Sequence, residues 1–328
     1  MSSLPALTRD AGPRFGAIDI GSNTVHLLVA SCPPRRLPIP LFHHREFVQL
    51  GLDVSRQGAI GEERLGLAIR ALRRQVDDAR KAQVDEIAIG ATEALRAASN
   101  GAEVAKRLGA VTGGGAVHVL PSQVEAQLTF DGATMTVAQG RSALVLDIGG
   151  ASSQVAWGPA GGVCQRASLR LGSGSLAAMA TSEPPDASEW DAMVESVSRG
   201  ISLPHLGSTF EVALGTGGTV TNLPRLLGLD GTQGLTRTQV GALIKSLAAE
   251  PAPDLARRTG MALERARLCR GGTLILVRLM ELLSLERIRI AERGLRDGMI
   301  AALVRAGEGW WRAEPGRVPG GAALSSAE

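Results

Sequence analysis

The sequence predicts an α/β protein made of two similar domains, and three observations carry that expectation. Strand-like and helix-like segments alternate along the chain. The block AIDIGSNTVHLLV at Ala17 to Val29 recurs as VLDIGGASSQVAW at Val145 to Trp157, 128 positions later. The chain has 328 residues, 44% of them hydrophobic and 20% charged, which suits two cores of ordinary domain size.

The first half opens with three strand signals, Phe15 to Ile20, Val25 to Ala30 and Phe42 to Leu50, whose tight joints suggest a meander. From Glu62 to Val84, apolar Leu65, Ala68, Ile69, Leu72, Val76 and Ala79 recur at helical spacing, with Arg and Asp on the opposite face. A strand follows at Glu86 to Ala91, then helices at Glu93 to Ala98 and Ala102 to Leu108, a strand at Val117 to Leu120 and a helix from about Gln123. The second half repeats the plan. Strands are expected at Ala143 to Ile148, Gln154 to Trp157, Val163 to Leu171, Val212 to Gly215 and Arg287 to Ala291. Helices are expected at Trp190 to Gly200, Val220 to Leu227, Thr238 to Ala248, Glu264 to Leu283 and Asp297 to Arg305. These segments give a central five-stranded sheet in each domain. Residues 1–130 form the first domain and 131–307 the second, with a join near Thr129 to Ser142 and the last helix free to pack back on the first domain. Gly, Pro and Ser from Glu308 onward suggest a loose tail over 308–328, with Trp310 and Trp311 capping the last helix and a homodimer contact through them left open.

Composition narrows the function by exclusion. The net charge is only +3, and no basic run is interleaved with aromatics, which argues against nucleic-acid binding and leaves room for a small polyanion. Cys32, Cys164 and Cys269 are odd in number, far apart and outside any CxxC spacing, so they read as ordinary reduced thiols. His26, His43, His44, His118 and His205 show no metal-ligand spacing. No apolar run reaches the ~18 residues of a membrane helix, and the first residues lack the pattern of a secretory signal, so no membrane is expected and the location reads as cytoplasmic.

The repeated block is where chemistry is legible. In each copy a buried strand ends in Asp-Ile-Gly and a turn of small residues leads to the next strand: Asp19 matches Asp147, Gly21 matches Gly149, and Thr24 matches Ser152. Glycine lets backbone N–H groups approach a ligand, consecutive amides in such a turn form an anion-binding nest, and a hydroxyl adds a donor. A carboxylate at the strand end can hold Mg²⁺ directly or through water. Two such turns facing across a cleft would grip a phosphate chain from both sides. One turn alone reads equally as an ordinary hairpin; the pair at domain-length spacing favours phosphate.

The duplicated turn resembles that of acetate and sugar kinases, heat-shock ATPases and actin. Six blocks in order, DIGSNTVHLLV (Asp19 to Val29), GATEALRAASN (Gly90 to Asn100), LPSQVEAQLTF (Leu120 to Phe130), LDIGGASSQV (Leu146 to Val155), GTGGT (Gly215 to Thr219) and GLRDGMI (Gly294 to Ile300), are similar to the exopolyphosphatase and guanosine pentaphosphate phosphohydrolase family over about residues 14 to 306. The resemblance implies two domains of the actin-like ATPase and sugar kinase (ribonuclease H-like) type with an interdomain cleft, in a short form without further C-terminal domains. It implies a hydrolase that removes terminal phosphate from inorganic polyphosphate or the 5′ γ-phosphate of guanosine pentaphosphate, with guanosine tetraphosphate as a related ligand. It also implies a divalent cation, Mg²⁺ or another such as Mn²⁺.

The same resemblance assigns Glu125 as the residue that orients or deprotonates water and Arg96 as the catalytic phosphate-binding arginine. Gly21, Ser22, Asn23, Thr24, Gly149, Gly150, Ala151, Ser152, Gly217 and Gly218 become the phosphate-binding positions. Asp147, Asp19 and Gln154 become the metal positions, with Asp147 first. The chain departs from the family pattern where Ala151 replaces Gly, Gln154 replaces Glu, and Arg267 stands where an acidic residue is common. Ser122, Gln123 and Val124 also differ from the usual Gly-Glu approach to the catalytic Glu. These departures motivate an alternative, a protein that senses polyphosphate or guanosine alarmones with little catalysis. A phosphotransferase is disfavoured by the match at Glu125.

Overall fold

The computed structural model describes residues 12–206, 210–229 and 234–312, which fall into two compact units. The first holds described residues up to Arg141, the loop Pro159–Cys164 and the chain from Arg293 on; the second holds Ser142–Gly158 and the described part of Gln165–Glu292. The contacts thus draw the line at Arg141/Ser142, where the sequence reading put it after residue 130, and they place the last helix in the first unit. The physical reason is that helix 122–133 and helix 295–306 bury their faces against the same sheet as the first strands.

The first unit contains β1 (Arg14–Ile20), β2 (Thr24–Ser31), β3 (Ile39–Phe47), α1 (Leu50–Gln57), α2 (Glu62–Lys81), β4 (Glu86–Ala91), α3 (Glu93–Ala97), α4 (Gly101–Gly109), β5 (His118–Val119) and α5 (Ser122–Ala133). Its sheet has the order β3-β2-β1-β4-β5, antiparallel in the opening meander and parallel from β1 through β4 to β5. Alternation along β1 sorts its side chains: Ile18 and Ile20 enter a core with Leu65, Leu72 and Val76 of α2, while Ala17 joins a second core on the other face. α2 forms because its buried positions recur every three or four residues, with Glu62 and Glu63 in its first turn and Arg80 and Lys81 in its last complementing the helix dipole. Each fully buried leucine on that stripe contributes roughly 1.5–3 kcal/mol.

The second unit contains β6 (Ser142–Ile148), β7 (Ser153–Pro159), β8 (Gln165–Leu169), α6 (Ser173–Ala177), α7 (Ala187–Gly200), β9 (Val212–Thr216), α8 (Gly217–Val220), α9 (Leu223–Leu227), β10 (Leu235–Thr236), α10 (Arg237–Ala249), α11 (Ala252–Thr259), α12 (Leu263–Leu282) and β11 (Arg287–Ile290). Its sheet order is β10-β11-β9-β6-β7-β8. With β10 set aside, this reproduces the order of the first sheet, so the sequence repeat is a repeat of topology. The expectation of five strands holds for the first sheet and is corrected for the second, which has six. β10 is only two residues long and pairs antiparallel with β11, too short for any period to mark it.

α13 (Leu295–Ala306) returns to the first unit and lies against α5. Their approach is set by glycine: a Cβ on Gly132 would strike the Gly294 carbonyl, and one on Gly298 would strike the Leu128 carbonyl. Leu128, Met299, Ile300 and Leu303 then close a core over Ala17, Leu28 and Ala30. Residues 307–312, expected at the start of a loose tail, form a 3-10 turn in which Trp310 is buried in that core and His118 stacks on Trp311 at 4.6 Å; the rest of the expected tail lies outside the described residues. Among the described residues no helix is long and apolar enough to cross a membrane. All three cysteines are buried and outside any disulfide, and burial pushes the Cys32 and Cys269 thiols up to about 11.

Candidate active site

In a parallel sheet the side chains that serve a ligand gather at the carboxyl ends of the strands. In the first unit β1, β4 and β5 are aligned so that Ile20 pairs with Ala91 and Ala91 with Val119. Everything that follows those three strands therefore starts from one edge: the turn Gly21–Thr24, helix α3 carrying Arg96, and helix α5 carrying Glu125. The Thr92 N–H donates to the Ile20 carbonyl at 3.2 Å, tying the entry to α3 to the end of β1.

Arg96 and Glu125 meet there. The Arg96 Nη1 lies 2.7 Å from Glu125 Oε2 and donates to the Leu120 carbonyl at 2.6 Å, while Nη2 and Nε reach Glu93 Oε2 at 2.6 and 3.1 Å. Burial opposes the charge on Arg96, and the carboxylates of Glu125 and Glu93 outweigh it, so the guanidinium is held above its ordinary range. Glu125 is buried in the first turn of α5, and its backbone N–H donates to the Pro121 carbonyl at 3.0 Å. One guanidinium thus fixes a buried carboxylate, a second carboxylate and the chain leading into the helix.

The two repeated turns have the same backbone. Gly21 N–H donates to the Thr24 carbonyl at 2.9 Å, and Gly149 N–H donates to the Ser152 carbonyl at 3.0 Å. A short helix clamps each turn by its carbonyls. At the start of α1 the Gly51 N–H donates to Ser22 O at 2.8 Å, and those of Val48 and Gln49 to Asn23 O at 2.9 and 3.0 Å. At the start of α6 the N–H groups of Gly174 and Ser175 reach Gly150 O at 2.7 and 3.2 Å, and Ser173 reaches Gly149 O through both its N–H and its hydroxyl. Neither helix was expected from the sequence. The signal for both was present as a Leu-Gly pair after the third strand of each half, Leu50-Gly51 and Leu171-Gly172, whose glycines press against Ser22 and Gly150.

Asp19 ends β1 on the α13 face, where Arg296 Nη1 stands 3.5 Å from Oδ2 and Oδ1 is buried without a hydrogen-bond partner. Burial, only partly offset by Arg296, pushes the Asp19 carboxyl up to about 6. Sequence reasoning had passed over Arg296, although it lies inside the GLRDGMI block; the Asp297 of that block caps α13 through the Gly294 N–H at 3.0 Å.

In the second unit β6 and β9 run parallel with Asp147 opposite Thr216, so the turn Gly149–Ser152 and the pair Gly217-Gly218 share an edge. Gly217 has φ +91°, and a Cβ there would also strike the Ile148 carbonyl and come within 2.8 Å of Asp147 Oδ1. Gly218 faces the guanidinium of Arg265, a buried residue that sequence reasoning did not single out. Gln154 is buried on β7 and its Nε2 donates to Ser152 Oγ at 3.0 Å. Arg267 is half-exposed and faces Glu183 at 3.5 Å, beside the closer Glu183–Arg270 pair at 2.7 Å; its charge is spent on a surface ion pair.

No cluster of three or more His, Cys, Asp or Glu side chains converges among the described residues. The donors present do fit an ion that keeps several waters and takes one or two protein carboxylates plus phosphate oxygens, as Mg²⁺ does. The unpartnered Oδ1 of Asp19 is the observation that favours it.

Two units of ribonuclease H-like strand order, each leaving its first strand by an Asp-Ile-Gly turn, define the fold of the actin-like ATPase class. The Ppx/GppA phosphatase family model matches residues 29–306, and the chain belongs to that family of hydrolases. Exopolyphosphatase 1 of Mycobacterium tuberculosis is 28% identical over 301 residues, covering 88% of this chain and 87% of the relative. A guanosine-5′-triphosphate,3′-diphosphate pyrophosphatase of Photobacterium profundum is 26% identical over 296 residues, covering 88% of this chain and 59% of the relative. Among solved structures, an exopolyphosphatase from Cytophaga hutchinsonii superposes with a TM-score of 0.79 at 23% identity, covering 89% of this chain and 98% of that one. The Aquifex aeolicus member of the Ppx/GppA family gives 0.74 at 23% identity, covering 90% and 99%.

Proposed function

We propose that the protein releases terminal orthophosphate from inorganic polyphosphate, and the 5′ γ-phosphate from guanosine pentaphosphate as a second substrate, with Glu125 as the base. The observation that carries this reading is the buried Arg96–Glu125 pair at the edge where the Gly21–Thr24 turn also ends. As a carboxylate, Glu125 can take a proton from water as the new O–P bond forms, while the electron pair of the broken P–O bond leaves with the shortened chain. Arg96 offers donors to the oxygens that gain charge. Within its own unit each turn, held by its carbonyls, offers phosphate the amides beyond its first glycine, with the hydroxyls of Ser22 and Thr24 in the first unit and Ser152 in the second, where Gly217 and Gly218 lie at the same sheet edge. A divalent cation, Mg²⁺ or Mn²⁺, would neutralise phosphate charge when bound, with Asp147 of the second unit and, separately, Asp19 of the first as the carboxylates able to hold it.

Mixing the protein with polyphosphate and Mg²⁺ and scoring orthophosphate tests the reading; the Glu125→Gln protein should release at least about 10²-fold less. Equal release by both proteins would remove Glu125 from the mechanism. A second reading, a polyphosphate or alarmone sensor, is favoured by the neutral Gln154 in the second turn. It predicts binding of polyphosphate by the wild type with almost no orthophosphate released.

A further inference from the structure

Gln154 has no counterpart in the mechanism above, yet it is 2% exposed and its amide is committed to a residue of the second turn. A serine hydroxyl has one proton to give and two lone pairs to receive with. When the Gln154 amide donates to Ser152 Oγ, the Ser152 proton must point elsewhere, and an oxygen of a phosphate bound in the turn is an acceptor for it. The Ser152 carbonyl is already taken by Gly149 N–H, and the neighbouring Ser153 hydroxyl donates to the Leu171 carbonyl at 2.7 Å on the far side of the strand. A carboxylate at position 154 would do the reverse. It has no proton to donate, so it would draw the Ser152 hydroxyl toward itself and turn lone pairs, not a donor, toward an anion.

We propose that Gln154 is a positioning residue that sets the hydrogen-bond polarity of the second turn, so that Ser152 donates its proton to a phosphate oxygen of the substrate. This rests on the phosphohydrolase reading and refines it: position 154 acts through Ser152 and not by ligating the metal. Position 154 is matched in the first unit by His26, and Ser152 by Thr24, so the hydroxyl is common to both turns while the residue that orients it differs.

The test is a cycle of Ser152→Ala, Gln154→Glu and the double variant, with tripolyphosphate as probe. KM and kcat are measured across a Mg²⁺ titration, and binding by calorimetry. A hydrogen bond to a charged oxygen lost from the turn should raise KM and Kd by about tenfold or more in each single variant. The double variant should be no worse than Ser152→Ala alone, and the Mg²⁺ concentration for half-maximal rate should not change. Ser152→Thr, which keeps the hydroxyl, should recover most of the KM lost in Ser152→Ala. Should burying a carboxylate unfold Gln154→Glu, Gln154→Met removes the donor without adding charge and should still raise KM severalfold. The proposal is overturned if Gln154→Glu lowers the Mg²⁺ requirement at unchanged KM, which makes position 154 a metal ligand, or if the two single effects add. Wild type that binds tripolyphosphate but releases no phosphate defeats the hydrolase reading alone, because the binding cycle still reports on Ser152; wild type that binds none defeats both.

Discussion

Asp19 carries a cost that can be measured. Its carboxyl titrates at about 6 in the fold against 3.8 for an ordinary aspartate, because burial penalises the charge by more than Arg296 at 3.5 Å returns. A raised folded pKa means that the native state holds a proton between pH 4 and 6 that the unfolded chain has already lost. The contribution of Asp19 is therefore most favourable below about pH 4 and is lost as pH rises through about 6. At about 1.4 kcal/mol per unit, the ionised group costs the fold up to ~3 kcal/mol at pH 8. Asp19→Asn keeps the shape and removes the charge, so it should stabilise the protein at pH 8 by about 1–3 kcal/mol and have no effect at pH 4. Urea unfolding at pH 4, 6 and 8 in the presence of a chelator measures this. Mg²⁺ should then stabilise the wild type more than the variant, since an ion that binds the folded Asp19 carboxylate offsets the same penalty. A variant less stable than wild type at pH 8, or a difference independent of pH, would refute the placement of Asp19 as a buried charge waiting for a cation.

Other substitutions probe the same unit. Arg96→Lys keeps the charge but lacks the fork that reaches Glu125, Glu93 and the Leu120 carbonyl together, so kcat/KM for polyphosphate should fall at least tenfold; wild-type kinetics would show that a point charge suffices. Glu125→Gln should melt within a few degrees of wild type while losing turnover, and a thermal melt run beside the phosphate assay separates a catalytic loss from an unfolded sample. Gly298→Ala drives a Cβ into the Leu128 carbonyl and should cost at least about 1–3 kcal/mol by urea unfolding, with activity falling because α5 carries Glu125.

The strands were readable from the sequence because they are short runs of Val, Ile, Leu and Ala bounded by glycine, and the repeat made the two halves check each other. α2 was readable for a different reason: one face is buried and the other wet, so its period survives in the composition. α5 is the opposite case. From Glu125 to Ala133 every residue is buried, so no polar face marks its length or reveals that α13 covers it. The domain boundary moved for that reason. What fixes α13 there is a pair of glycines, Gly132 and Gly298, whose significance lies in the space they leave and not in any pattern they make.

The candidate site divides along the same line. The Asp-Ile-Gly turns, Arg96 and Glu125 could be named because they sit in contiguous blocks, whereas Arg265 and the clamping helices α1 and α6 lie outside the blocks and Arg296, inside one, is marked only by its contact with Asp19. The duplication explains which features recur. The closing hydrogen bond of each turn is the same in both units, and one clamped carbonyl corresponds, Ser22 O with Gly150 O, while the second clamp falls on Asn23 O in the first turn and on Gly149 O in the other. The side chains differ: Asn23 faces Ala151 in the alignment of the halves, and His26 faces Gln154. Of the two units, the first holds the Arg96–Glu125 pair as well as its turn, and chemistry is therefore expected to depend on its side chains.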